Sequence, residues 1–210
     1  MSAPGILVTG FGPFPGCPRN VSADIAAAVA GRLRSDGGLA VTDRTLPVDW
    51  CLAPSLFREL VACHRPRATL HFGVSQRARR ITIESIARNS ARAAVDNTGA
   101  LPAGRQLIGD APPLYRQDAV ARQVKALLGR DDIATTLSTD AGGYLCNALY
   151  FHALDWSNAG KERACLFLHL PMNLGSMPGA AADADLERVI NAGIVAARHL
   201  LQSATVAAAS

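Results

Sequence analysis

The sequence predicts an α/β fold: one domain, residues 1–210, built on an open, mostly parallel twisted sheet with helices on both faces. Three observations lead there. Short apolar, strand-like runs alternate with segments whose apolar residues recur at helical spacing, the pattern of a sheet covered by helices. No internal repeat or linker divides the chain. Its 210 residues, 49% apolar and 18% charged, suffice for one well-buried core.

The elements follow in order. Residues 6–9 (Ile-Leu-Val-Thr) form a short apolar strand. The loop at 10–20 is too rich in Gly and Pro for regular structure. Ser22 is placed to cap a helix whose apolar stripe is Ile25, Val29 and Leu33. Residues 39–48 alternate like a strand, and a helix carrying Leu52, Leu56, Leu60 and Val61 ends before Pro66. Residues 68–72 are a further strand. Residues 81–86 alternate, which puts Thr82, Glu84 and Ile86 on one side. The stretch at 90–112 has few periodic apolar residues and reads as an irregular excursion. Val120, Val124, Leu127 and Leu128 mark a helix stopped by Gly129, and a β-type run covers 133–137. A second helix follows Cys146. Residues 164–168 are a buried strand ending at His169, and an amphipathic helix with Asp183 or Asp185 as cap runs from Leu186 to Leu201. The tail at 203–210 is expected to fray.

Composition removes several classes of function. No run reaches the roughly 18 consecutive apolar residues of a membrane span. The opening Met-Ser-Ala-Pro-Gly leads straight into a strand without a basic leader, so no secretory signal is expected. Five cysteines, with no CxxC and no histidine at metal-ligand spacing, argue against a disulfide scaffold or a zinc site. A reducing, cytoplasmic setting is expected, with no metal and no cofactor. The net charge of +4 is mild, and its densest cluster is Arg77, Arg79 and Arg80. With aromatics at 5%, that cluster reads as a solvated loop rather than a nucleic-acid contact. The N-terminal glycines lack GxGxxG spacing, which argues against a dinucleotide site.

The chemistry points to a thiol. Cys146 follows a strand and a turn of small residues and opens a helix, where unpaired N–H groups and the helix dipole favour a thiolate. Cysteine-based catalysis needs an imidazole and a group to orient it. Of the five histidines, His64 reads as a capping residue, His71 as a core residue, and His152 and His199 as helix residues. His169, at the exit of a buried strand, is the preferred base. Glu84, the odd charge in a strand, and Asp140, just ahead of the thiol, are both candidates for the acid. Cys51, Cys63 and Cys165 read as small buried hydrophobes, and Cys17 has no activating neighbour.

These segments resemble the pyroglutamyl peptidase I (pyrrolidone-carboxylate peptidase) family of cysteine peptidases. Ser138-x-Asp-Ala-Gly-x-Tyr-Leu-Cys146 resembles the family's nucleophile motif. Leu7-Val-Thr-Gly-Phe-Gly-Pro-Phe14 with Asn20 is similar to its N-terminal signature. Gly73-Val-Ser with Ile81-Thr-Ile-Glu84, Asn89 and Asp96-Asn97 is similar to its acid-bearing segment, and Phe167-Leu-His169-Leu-Pro to its histidine segment. The resemblance implies Cys146 as nucleophile, His169 as base and Glu84, rather than Asp140, as orienting acid. It also implies that Phe11 and Phe14 pack on a lactam ring, that Asn20 hydrogen-bonds near it, and that main-chain groups around Val74 grip the lactam amide. The implied substrates are peptides with an N-terminal pyroglutamate, and family members are often homotetramers. Residues 76–80 (Gln-Arg-Ala-Arg-Arg) depart from the family pattern, which keeps two alternatives: the same triad on a different N-blocked or lactam substrate, or a catalytically silent binding protein of this fold. Arg92 lies where many bacterial members carry an arginine, but at a different spacing, and receives no role.

Overall fold

The computed structural model describes residues 5–174 and 180–208. In chain order the elements are β1 (Gly5–Phe11), α1 (Val21–Ser35), β2 (Ala40–Leu46), α2 (Leu52–His64), β3 (Ala68–Ser75), β4 (Ile81–Glu84), β5 (Ile86–Arg88), β6 (Leu114–Arg116), α3 (Asp118–Arg130), β7 (Thr135–Ser138), α4 (Leu145–Asn158), β8 (Ala164–Pro171) and α5 (Ala180–Ala208). The main sheet has six strands in the order β2-β1-β3-β8-β4-β7. α1, α3 and α5 share one apolar core with one sheet face, and α2 and α4 share a second core with the other. The mostly parallel α/β sandwich expected from the alternation is therefore present.

β2, β1, β3 and β8 run parallel, whereas β4 is antiparallel to β8 and β7 runs with β4. This reversal sets the segment after β7 apart from those after β1, β3 and β8, which leave the carboxyl ends of parallel strands. The connection between β3 and β4 is only five residues, too short for the crossover a parallel return would need, so the chain turns back antiparallel. β7 thus ends at Ser138, level with Glu84 and Phe167, and the segment before Cys146 starts from there.

Local details shift for physical reasons. Asn20, not Ser22, caps α1, because its Oδ1 accepts the Ser22 N–H at 3.2 Å. The alternating run 81–86 breaks at Ser85, whose N–H donates to the Ser138 carbonyl. Ile86 therefore leaves the main sheet, and β5 pairs with β6 in a separate antiparallel ribbon. α5 starts at Ala180, which places Asp183 and Asp185 inside it rather than at its cap. The helix runs on to Ala208. α4 is buried on nearly every side, sandwiched between the sheet, α2 and the β5–β6 ribbon. Fully buried Phe57, Tyr150, Phe151 and Phe167 anchor that layer, each contributing about 1.5–3 kcal/mol by leaving water.

Candidate active site

The chain reverses its direction of progress across the sheet between β1 and β3: α1 crosses on one face and α2 returns on the other. Such a switch point opens a crevice at the carboxyl ends of the strands. Here β1 pairs with β3 only as far as Thr9↔His71, while β1 stays with β2 through Phe11↔Leu46 and β3 stays with β8 through Ser75↔Pro171. The strands part just beneath Phe11 on one side and Gly73 and Val74 on the other.

Partners in register share a sheet face, so His71 and Gly73 of β3 line up with Phe167 and His169 of β8, and these with Glu84 and Thr82 of β4. Glu84 is paired with Phe167, which makes His169 its diagonal neighbour. Glu84 Oε1 lies 2.8 Å from His169 Nδ1, and both residues are buried, at 2% and 6% exposure. A carboxylate can only accept, so Nδ1 carries the proton and the other ring nitrogen is left for work elsewhere. The second oxygen, Glu84 Oε2, has no hydrogen-bond partner among the described residues, which leaves His169 to balance the buried charge.

Cys146 enters from above. It is the second residue of α4, whose N-cap, Tyr144, makes no side-chain cap, so the first-turn N–H groups are not used up there. Its sulfur sits over Gly73: a Cβ on that glycine would lie 2.8 Å from Sγ and 2.8 Å from Phe167 Cζ. Gly73 is directly opposite His169 in the ladder. Burial alone would lower the His169 pKa. The charge of Cys146 and the hydrogen bond its sulfur accepts from the imidazole, with the hydrogen bond and charge of Glu84, more than reverse this and lift it to about 10. Both neighbours therefore favour the protonated imidazole.

The supporting residues lie mainly on α4. Tyr150, one turn after Cys146, donates to the Glu84 carbonyl at 2.9 Å. Asn147 is fully buried, accepts the Arg88 N–H at 2.9 Å and donates to the carbonyls of Arg88 and Ser90. Neither role is visible in the sequence, where both residues read as ordinary helix positions; the spacing of Tyr150 four residues after Cys146 is the one available signal. Asp140, the rival acid, is exposed: it accepts from Gly142 N–H and pairs with Arg77 at 3.5 Å.

Phe11 and Phe14 pack in the same core as Cys146. Two amides pin the loop that carries them, Asn20 donating to the Gly12 carbonyl at 2.9 Å and Asn97 to the Pro13 carbonyl at 2.8 Å. Asp96 holds the Asn97 turn; burial would raise its pKa, but hydrogen bonds from Trp50, Thr98 and Ala100 bring it to about 2. The Val74 side chain is buried in the core on the other face of the sheet, so only its main chain borders the crevice. Arg92 is exposed and donates its main-chain N–H to the Gly143 carbonyl at 2.7 Å, next to the turn before Cys146.

Among the remaining groups, His71 is fully buried between Thr9 and Thr69, and burial drops its pKa to about 3. It is a core histidine, as its strand position suggests. Burial raises the pKa values of the Cys17 and Cys165 thiols. Cys51 and Cys63 are exposed rather than buried, because they face outward at the start and end of α2. Among the described residues no group of three or more His, Cys, Asp and Glu side chains is placed to hold a metal ion.

Comparison with known proteins gives a consistent result. A family model described as pyroglutamyl peptidase matches residues 5–199. The pyrrolidone-carboxylate peptidase of Oceanobacillus iheyensis is 32% identical over 88% of this chain and 94% of its own length. The human pyroglutamyl-peptidase 1 is 30% identical over 79% of this chain and 78% of its own. Among solved structures, a mutant pyrrolidone carboxyl peptidase from Pyrococcus furiosus superposes with a TM-score of 0.81 at 27% identity, covering 94% of this chain and 98% of that one.

Proposed function

The chain belongs to the pyroglutamyl peptidase family, a cysteine peptidase that removes N-terminal pyroglutamate, and we propose that Cys146 is its nucleophile, His169 its base and Glu84 the acid that orients the base. One observation carries the assignment: an imidazole bonded to a buried carboxylate, with a thiol at a helix N-terminus seated over the glycine that faces that imidazole in the ladder.

The Cys146 sulfur attacks the carbonyl that joins pyroglutamate to the next residue, forming a C–S bond. N–H groups in the first turn of α4 steady the oxyanion, at about 3 kcal/mol per donor. His169 gives its proton to the departing amine as the C–N bond breaks. Water then attacks the thioester, His169 takes up its proton, and pyroglutamate leaves as the sulfur is regenerated.

The lactam ring occupies the crevice between β1 and β3. Pyroglutamate has no free amine, so the slot requires no carboxylate; it requires apolar walls and a few placed polar groups. Phe11 and Phe14 supply the walls, and the main chain at Val74, on the stretch of β3 that outruns β1, meets the lactam amide. Asn20 acts through the Gly12 carbonyl that it holds. The five free cysteines suit a reducing, cytoplasmic setting, and no helix among the described residues is long and apolar enough to cross a membrane.

Parallel assays of pyroglutamyl, prolyl and free-amino chromogenic substrates test this reading. Rapid cleavage of the pyroglutamyl compound alone is expected. Preference for another blocked substrate would move the function to that chemistry, and no turnover of any would mark the fold as a binding protein.

A further inference from the structure

Residues 76–80 join β3 to β4, the two strands that flank β8, so the loop has to pass over the carboxyl end of β8. That end lies two residues beyond His169, with Pro171 beside Ser75 and Thr82 beside His169. The loop is held in place: the Arg77 N–H donates to Ser75 Oγ and the Ala78 N–H to the Ser75 carbonyl, both at 3.2 Å, and Ala78 is buried. Its three arginines are exposed. Arg77, whose side chain is 84% exposed, pairs at 3.5 Å with Asp140 of the segment leading to Cys146. Among the described residues, Arg79 and Arg80 make no ion pair, so the loop across the end of β8 carries two unpaired guanidinium groups.

The chemistry decides which part of a substrate meets that rim. Resting on the reading above, the acyl half lies in the slot on the β1 side of Cys146. The departing amine must lie on the side of His169, because His169 protonates it. The chain beyond the scissile bond therefore leaves beneath residues 76–80. We propose that this loop sets specificity on the leaving side, favouring pyroglutamyl peptides with acidic side chains in the positions just after the pyroglutamate. Exposed guanidinium–carboxylate pairs are individually weak, each giving about 1.4- to fivefold, so two of them give a preference of about two- to 25-fold.

The test compares kcat/KM for three pyroglutamyl peptides of equal length, with Asp-Asp, Ala-Ala or Lys-Lys following. At about 0.01 M ionic strength, where charges act over about 30 Å, the Asp-Asp peptide is expected to exceed the Lys-Lys peptide by about two- to 25-fold. At about 1 M, where that reach falls to about 3 Å, the two converge. The Arg79→Gln/Arg80→Gln double variant should show a smaller ratio at low salt. Equal rates in the unaltered protein, a preference insensitive to salt, or an unchanged ratio in the double variant would overturn the proposal. Parity with brisk turnover removes this inference alone, whereas failure to cleave even the Ala-Ala peptide removes the peptidase reading and this inference together.

Discussion

Tyr150 stands one helical turn beyond Cys146 and donates its hydroxyl to the main-chain carbonyl of Glu84 at 2.9 Å. One helix thereby presents the thiol to the imidazole and, four residues later, fixes the strand that carries the carboxylate behind that imidazole. Burial holds the phenol pKa well above its ordinary value, so the group stays a donor. Tyr150→Phe leaves the Glu84 carbonyl buried without this bond. It should lower stability by about 1–3 kcal/mol and reduce kcat several-fold with little change in KM. Denaturant unfolding and steady-state kinetics on the purified variant measure both.

Gly73 is required by close approach rather than by a turn. A methyl group there meets Cys146 Sγ and Phe167 Cζ, each at 2.8 Å, so both must move or the strand must shift. Gly73→Ala is expected to keep the circular-dichroism spectrum while lowering kcat/KM by about 100-fold, the usual penalty for misplacing reacting groups by about 1 Å. Near-normal activity in that variant would mean that the sulfur has room the structure does not show.

The pH behaviour follows from His169. Its pKa in the folded protein is raised from 6.5 to about 10, so the folded state binds this proton more tightly than the unfolded chain does. The stability it contributes is complete below about pH 6.5 and is lost as pH rises toward about 10. Melting temperature should therefore fall across that window in the unaltered protein and fall less in His169→Asn. Glu84→Gln removes the charge while keeping a hydrogen-bonding group. It should shift the alkaline loss to lower pH and reduce kcat by about two to four orders of magnitude, as loss of an orienting acid does elsewhere.

What was legible in the sequence was local. A thiol opening a helix and a histidine on a buried strand follow from periodicity and turn composition; α4 opens at Cys146 as that signal suggests, whereas β8 runs two residues past His169, to Pro171. The reversal of β4 was not legible, because alternation marks a strand but not its neighbour or direction. Ser85 shows the same limit. Nothing in residues 81–86 announces that its N–H will pair with the Ser138 carbonyl and send Ile86 into a separate ribbon. β6, three residues long after a stretch without periodicity, carries too little pattern to read. Gly73, Tyr150 and Asn147 acquire their roles only through tertiary contact. The Glu84–His169 pair sits between these cases: the isolated charge on a strand was readable, but its partner depends on a diagonal across two strands far apart in sequence.

Turnover of a pyroglutamyl-linked chromophore by Cys146→Ala, in protein verified as folded by its melting temperature, tests the central assignment most directly. A fall in kcat of at least about 1,000-fold is expected, since no other thiol among the described residues is joined to an imidazole–carboxylate pair. Cleavage at a rate close to that of the unaltered protein would contradict it.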